Sequence, residues 1–96
     1  MSTHIALLTF TDQGIRNVKE SPERFGAFKA MAEKLGVTVK SVYYTTGHYD
    51  MVVVVEGPEE AAVAVMLKVG TLGNVRSETL RGYSVDEMKK IIAGMP

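Results

Sequence analysis

A chain of 96 residues, 46% hydrophobic and 23% charged, can bury one small core and is too apolar to stay disordered. Eleven basic residues balance eleven acidic ones with no run of either sign, so a nucleic-acid partner is not expected; the apolar runs IALL, MVVVV and AAVAVML fall far short of the roughly 20 residues that span a bilayer, so no membrane partner is expected either. The absence of cysteine removes disulfides, thiolate metal sites and a cysteine nucleophile, and with no signal-peptide pattern at its start the chain is expected in the cytoplasm.

HIALLTFT, from His4 to Thr11, is a short apolar run closed by the turn-like DQG and predicts a first strand. A linking stretch with Ile15 and Val18 leads to Ser21-Pro22-Glu23, which offers an N-cap, a proline at the first helical position and an acid in the first turn. Phe25, Phe28, Met31, Ala32 and Leu35 then recur at helical spacing, and Gly36 stands where a left-handed cap would end the helix. Val37 to Thr46 and Tyr49 to Glu56 predict two strands joined by Gly47-His48 as a type II′ turn. Gly57-Pro58-Glu59-Glu60 opens a second helix, expected to run to about Leu72 and to end among Gly70 and Gly73. Its apolar run AAVAVML is expected to pack deeply. Asn74 to Tyr83 predicts a fourth strand, and Ser84 to Glu87 has capping-box spacing ahead of a terminal helix carrying Met88, Ile91 and Ile92.

The order β-α-β-β-α-β plus a C-terminal helix predicts an α+β, ferredoxin-like fold with a four-stranded antiparallel sheet and both main helices on one face. MVVVV and IALL are apolar at consecutive positions, hence on both faces of the sheet, whereas a strand with one wet face should alternate. Burying a valine side chain is worth about 1.5 to 3 kcal/mol. The chain has too little left to cover the second face, so a homodimer with facing sheets is expected.

Candidates for chemistry are few. With Gly47-His48 as the turn, Thr45 faces Asp50 and Tyr44 faces Met51; Tyr49 then shares a face with Tyr44, Thr46, Val42, Met51 and Val53, and Asp50 lies on the other face with Tyr43. His48 and Asp50 are the candidates for an acid–base pair. The plainer reading makes His48 an exposed turn residue, with Gly47 supplying a positive φ and Asp50 bonding Thr45 or nearby amides. Tyr43 and Tyr44 must point to opposite faces, and Arg76 shares a face with Glu78 while Ser77, Thr79 and Arg81 take the other. Tyr43, Tyr44, Tyr49, Arg76 and Thr79 are the candidate ligand-binding residues; an Arg–Glu pair across a dimer interface is the competing use of Arg76. His4 and His48 with scattered acids do not compose a metal site, and Gly70 to Asn74 follows a helix and so reads as its stop rather than as a phosphate loop.

TTGHYDMVVVVEGPEEAA, GNVRSETLRGYSVDE and the N-terminal TFTDQGIRNVKESPERF resemble the GYD domain family along nearly the whole chain, read as one domain, 1–96. Gly47, Tyr49 and Asp50 match its hairpin motif; Gly73, Asn74, Val75, Arg76, Thr79 and Leu80 match a second motif leading into the last strand. The resemblance implies a small bacterial-type protein similar to the dimeric α+β barrel superfamily, and it transfers motif positions without an established activity or cofactor. The expected function is therefore a homo-oligomer that binds a small molecule in a barrel interior or hairpin-lined cleft. Two alternatives stand beside it: a cofactor-independent isomerase- or monooxygenase-like enzyme with Asp50 or His48 as base and Arg76 steadying an anion, and an interaction module whose assembly is the function. A binder or enzyme needs a cavity walled by Tyr43 or Tyr44; an interaction module needs an exposed apolar patch.

Overall fold

The computed structural model describes all residues, 1–96: β1 (Ser2–Phe10), α1 (Asp12–Arg16), a 3₁₀ turn (Val18–Glu20), α2 (Ser21–Lys34), β2 (Thr38–Tyr44), β3 (Met51–Gly57), α3 (Glu59–Thr71), β4 (Val75–Gly82) and α4 (Val85–Ala93). The strands form one antiparallel sheet in the order β2-β3-β1-β4. The two runs that are apolar at successive positions, β1 and β3, are its inner pair, while the edges carry Lys40 and Ser41 on one side and Arg76, Glu78 and Arg81 on the other, where charge discourages edge-to-edge pairing. This is the expected ferredoxin-like arrangement. No helix is long and apolar enough to cross a membrane.

One face of the sheet is the core. Ala6 and Leu8 of β1 and Met51, Val53 and Val55 of β3 are buried there against Ala32, Val37 and Val65, with Phe25, Phe28, Met31, Met66 and Val69 packed around them. α2 ends in a Schellman motif: Gly36 adopts φ 81°, its amide donates to Glu33 O at 3.1 Å, and Val37 N donates to Ala32 O at 2.9 Å. That reversal drives Val37 into the core, fully buried. The apolar run of α3 is only partly absorbed: Ala62 and Val65 are buried, but Val63 and Leu67 face solvent, as does Leu35 at the end of α2. Deep packing of the whole run is thus not what the helix does.

Three local expectations change. DQG is not a turn but the start of α1, because Thr11 caps it by accepting a hydrogen bond from Gly14 N at 3.1 Å and Asp12 sits favourably in the first turn. Ser21 is not the N-cap of α2; it lies inside the helix (φ −56°, ψ −43°) because the 3₁₀ turn runs straight into it, and its hydroxyl pairs instead with the Tyr44 hydroxyl at 2.8 Å. The hairpin is wider than two residues. Tyr44 faces Met51 as expected, but β2 stops there and Thr45 to Asp50 form a loop, closed by Thr45 N donating to Asp50 O at 2.8 Å and the Thr45 hydroxyl donating to Tyr49 O at 2.6 Å. Gly47 does take the expected positive φ, 111°.

The molecule is 18 Å through its thinnest direction, which fits one sheet and one helix layer. Its radius of gyration, 14.6 Å, exceeds the ~12.5 Å of a compact chain of this length. α4 contributes to this. Its capping box is complete, with Ser84 Oγ accepting from Glu87 N and Glu87 Oε1 from Ser84 N, yet none of its residues is buried.

Gly14 and Gly26 form a pair of opposite predictions. A Cβ on Gly14 would stand 1.9 Å from Asn74 O, whereas one on Gly26 in α2 meets nothing within 4 Å. Gly14→Ala is expected to lower the unfolding free energy in urea by roughly 1–3 kcal/mol or more, and Gly26→Ala to raise it by about 0.5–1 kcal/mol.

Candidate functional site

The sheet face turned away from the helices is built by the strand pairing. One row across it reads Leu80, Ile5, Val54 and Ser41; the next reads Glu78, Leu7, Val52 and Tyr43; a third begins Arg76 and Thr9. Ile5, Leu7, Val52 and Val54 are half-buried by their sheet neighbours alone, and Leu80 and Tyr43 are exposed. No element of the chain is layered over this face, so an apolar centre stands open to solvent with polar groups at its margin.

Most of those polar groups gather at one corner. Tyr49 leaves the hairpin loop and donates its hydroxyl to Glu78 Oε2 at 2.8 Å, while the His48 ring meets the Tyr49 ring edge-on with centroids 4.9 Å apart. These residues with Leu7, Thr9, Arg76 and Ser77 line a shallow, open depression of about 230 Å³. The Glu78 carboxylate raises the Tyr49 phenol above its ordinary range, first through this hydrogen bond, then through desolvation and its negative charge. At neutral pH Tyr49 is therefore a proton-bearing donor, not a phenolate base. Arg76 has no ion pair within the chain; the one salt bridge joins Lys40 and Glu56 at 3.7 Å.

The candidate residues separate accordingly. Tyr49, Arg76 and His48 come together with Glu78, and Tyr43 lies on the same open face. Tyr44 is on the helix side, bonded to Ser21, and Thr79 pairs with Ala6 on that same side, so neither joins Arg76. Tyr49 is a correction: the loop interrupts the alternation of β3 and carries the ring to the open face rather than to the side of Tyr44. Asp50 forms no dyad with His48. Its carboxylate accepts a hydrogen bond from Phe10 N at 2.8 Å and its amide donates to Leu8 O at 2.8 Å, so the side chain stands in for a backbone carbonyl at the end of the β1–β3 ladder. Glu78 as partner of Tyr49 had no sequence signal, since 29 residues separate them.

The second motif holds the same end of β1 from the other side. Thr11 N donates to Asn74 O at 3.0 Å, the Thr11 hydroxyl donates to Gly73 O at 2.6 Å, and Gln13 Nε2 donates to Asn74 Oδ1 at 2.9 Å. Val75 enters the core beside them, Arg76 emerges on the open face, and Leu80 lies farther along it. Gly47, Tyr49 and Asp50 on one flank and Gly73 to Arg76 on the other thus frame one corner of the sheet.

The family model described as GYD domain matches residues 4–92. The glutamine synthetase and cystathionine beta-lyase binding protein of Thermus thermophilus is 37% identical over 90 residues, covering 92% of this chain and 95% of that protein. The crystal structure of FFRP-DM1 superimposes with a TM-score of 0.56 at 23% identity, covering 86% of this chain and all of that one, and supports the fold alone.

Two outcomes test the corner. Asp50→Ala should lower stability in urea by roughly 1.5–3 kcal/mol, the value of a hydrogen bond to a charged group, with Asp50→Asn milder because its amide oxygen can still accept. In carbon-13 tyrosine NMR the Tyr49 phenol should titrate above 10.0 and fall back toward that value in Glu78→Ala.

Proposed function

The chain belongs to the GYD domain family, and from that footing we propose that it is a protein-interaction module, dimeric through its open sheet face and binding other proteins through surfaces the dimer leaves free. The single observation behind this is the uncovered apolar face of Ile5, Leu7, Val52, Val54 and Leu80, rimmed by polar residues as interaction surfaces are. Two copies related by a twofold axis bury the same patch on each, and such an isologous contact lets Arg76, unpaired within the chain, meet Glu78 of the second copy. This is the dimeric α+β barrel arrangement.

A binding role toward other proteins is supported by the Thermus thermophilus relative, whose name records two enzymes as its partners. On the present chain we assign α4 to the non-self partner. Val85, Met88, Ile91 and Ile92 make an apolar stripe at helical spacing, all of it exposed, on a helix whose start is fixed by a capping box. The small-molecule binder expected from the sequence and the enzyme alternative have less behind them: neither main cleft has Tyr43 or Tyr44 in its wall, and Asp50 is engaged with Phe10.

Light scattering after size exclusion should give twice the 10.5 kDa chain mass at micromolar concentration. Leu7→Lys and Val54→Lys should shift it to monomer with an unchanged far-UV spectrum. Ile91→Lys with Ile92→Lys should keep the dimer mass and lose binding to purified glutamine synthetase or cystathionine beta-lyase in a biosensor assay. A wild-type monomer would overturn the assembly, and undiminished binding by the α4 variant would overturn the assignment of that helix.

A further inference from the structure

α3 (Glu59–Thr71) is apolar on the side it turns to the sheet and again on the side it turns to water. At about 100° per residue, Ala62, Val65 and Val69 point inward, and Val63, Ala64 and Leu67 make up the opposite face. On that face Val63 is 51% exposed and Leu67 66%. A helix that is apolar all round belongs in an interior, yet the chain leaves this side of α3 open.

The charges along the open side say what closes it. Glu60 stands four residues before Ala64 and Lys68 four residues after it; both are exposed, and neither is in an ion pair, since the chain's one salt bridge joins Lys40 and Glu56. A second α3 laid antiparallel, with a twofold axis at Ala64, brings Glu60 of each helix level with Lys68 of the other. The match occurs twice because such a contact is isologous. Val63 and Leu67 then flank the axis and pack on the same two residues of the second copy, while the small Ala64 at the crossing lets the backbones approach. A parallel pairing would instead set Glu60 against Glu60 and Lys68 against Lys68, and like charges across a contact repel.

We propose that the outer face of α3 is a self-association surface, on which α3 of a second copy lies antiparallel with two Glu60–Lys68 pairs. It lies on the helix side of the sheet, so it depends neither on the open sheet face nor on α4. In the dimer proposed above the two helix layers are outermost, and each dimer offers two α3 faces to further dimers. The 13 residues of α3 give a footprint of about 20 by 10 Å, roughly a quarter of the 800 Å² per partner found in stable interfaces. The contact is therefore a weak one, joining dimers at roughly millimolar concentration and leaving them separate at micromolar concentration.

Small-angle X-ray scattering of the full chain, from micromolar to millimolar concentration, reads this as mass. Wild type should rise from twice the 10.5 kDa chain mass toward four times and beyond. Leu67→Lys, at an exposed position, should stay at twice the chain mass throughout without a lower melting temperature. Glu60→Lys and Lys68→Glu should each weaken the association roughly fivefold, because both symmetry-related pairs turn repulsive. Glu60→Lys together with Lys68→Glu should restore it, a recovery that a local effect on the helix would not give. With the sheet face disabled by Leu7→Lys and Val54→Lys, the same Leu67-sensitive rise should run from one chain mass to two, so failure of the sheet-face dimer and failure of this contact are read separately. The proposal is overturned if wild type holds a constant mass up to millimolar concentration, if Leu67→Lys associates like wild type, or if the double reversal stays as weak as the single ones. Association lost in Ile91→Lys with Ile92→Lys but kept in Leu67→Lys would put α4 at the contact and equally overturn it.

Discussion

Two strands that are apolar on both faces, in a chain that has only one layer of helices, set the terms for the rest of this molecule. β1 and β3 take the inner positions because neither side of them tolerates water, and the edges are left to strands that interleave charges. α2 and α3 cover one face. The other keeps four half-buried aliphatic side chains and an exposed leucine in view of solvent. Removing the remaining exposed area of those side chains on two protomers is worth on the order of several kcal/mol, comparable with the stability of a small domain. Association through that face is the economical resolution.

The motifs at the corner serve that geometry. β1 ends where its ladder with β3 would fray, and the Asp50 carboxylate takes the Phe10 amide there while Gly73 and Asn74 hold Thr11 from the β4 side. The same loop that brings Asp50 to β1 delivers Tyr49 to Glu78. The hairpin is therefore part of the rim of the open face, where Tyr49 is paired with Glu78 and Arg76 has no ion pair within the chain. In the dimer proposed above, a rim of this kind would fix register between the two copies, with Arg76 placed to meet a carboxylate of the second.

How far the sequence was legible depended on the range of the forces involved. Strand and helix order, the inner strands and the capping box of α4 follow from spacing within a few residues, and those features stand. The Tyr44–Met51 register also followed, since it depends on local pairing. Strand alternation puts Tyr49 on the wrong face because its side depends on a loop shaped by Thr45 and by Asp50 reaching a strand 40 residues away. Gly14 reads as a turn glycine because nothing nearby in the sequence reveals that Asn74 packs against it. Ser21 has the composition of a cap but answers to Tyr44, and Leu35 fits the helical stripe yet falls beyond the helix end, where the chain has begun to turn.

Whether both faces of the sheet are dry in the working molecule can be measured directly through relaxation of methyl signals by a soluble paramagnetic agent. With a covered open face, the methyls of Ile5, Leu7, Val52 and Val54 are shielded nearly as well as those of Val55 and Val65 in the core. If instead they relax as fast as Leu67, which stands 66% exposed on α3, the face is wet and the account of this protein as an assembly built on its sheet is contradicted.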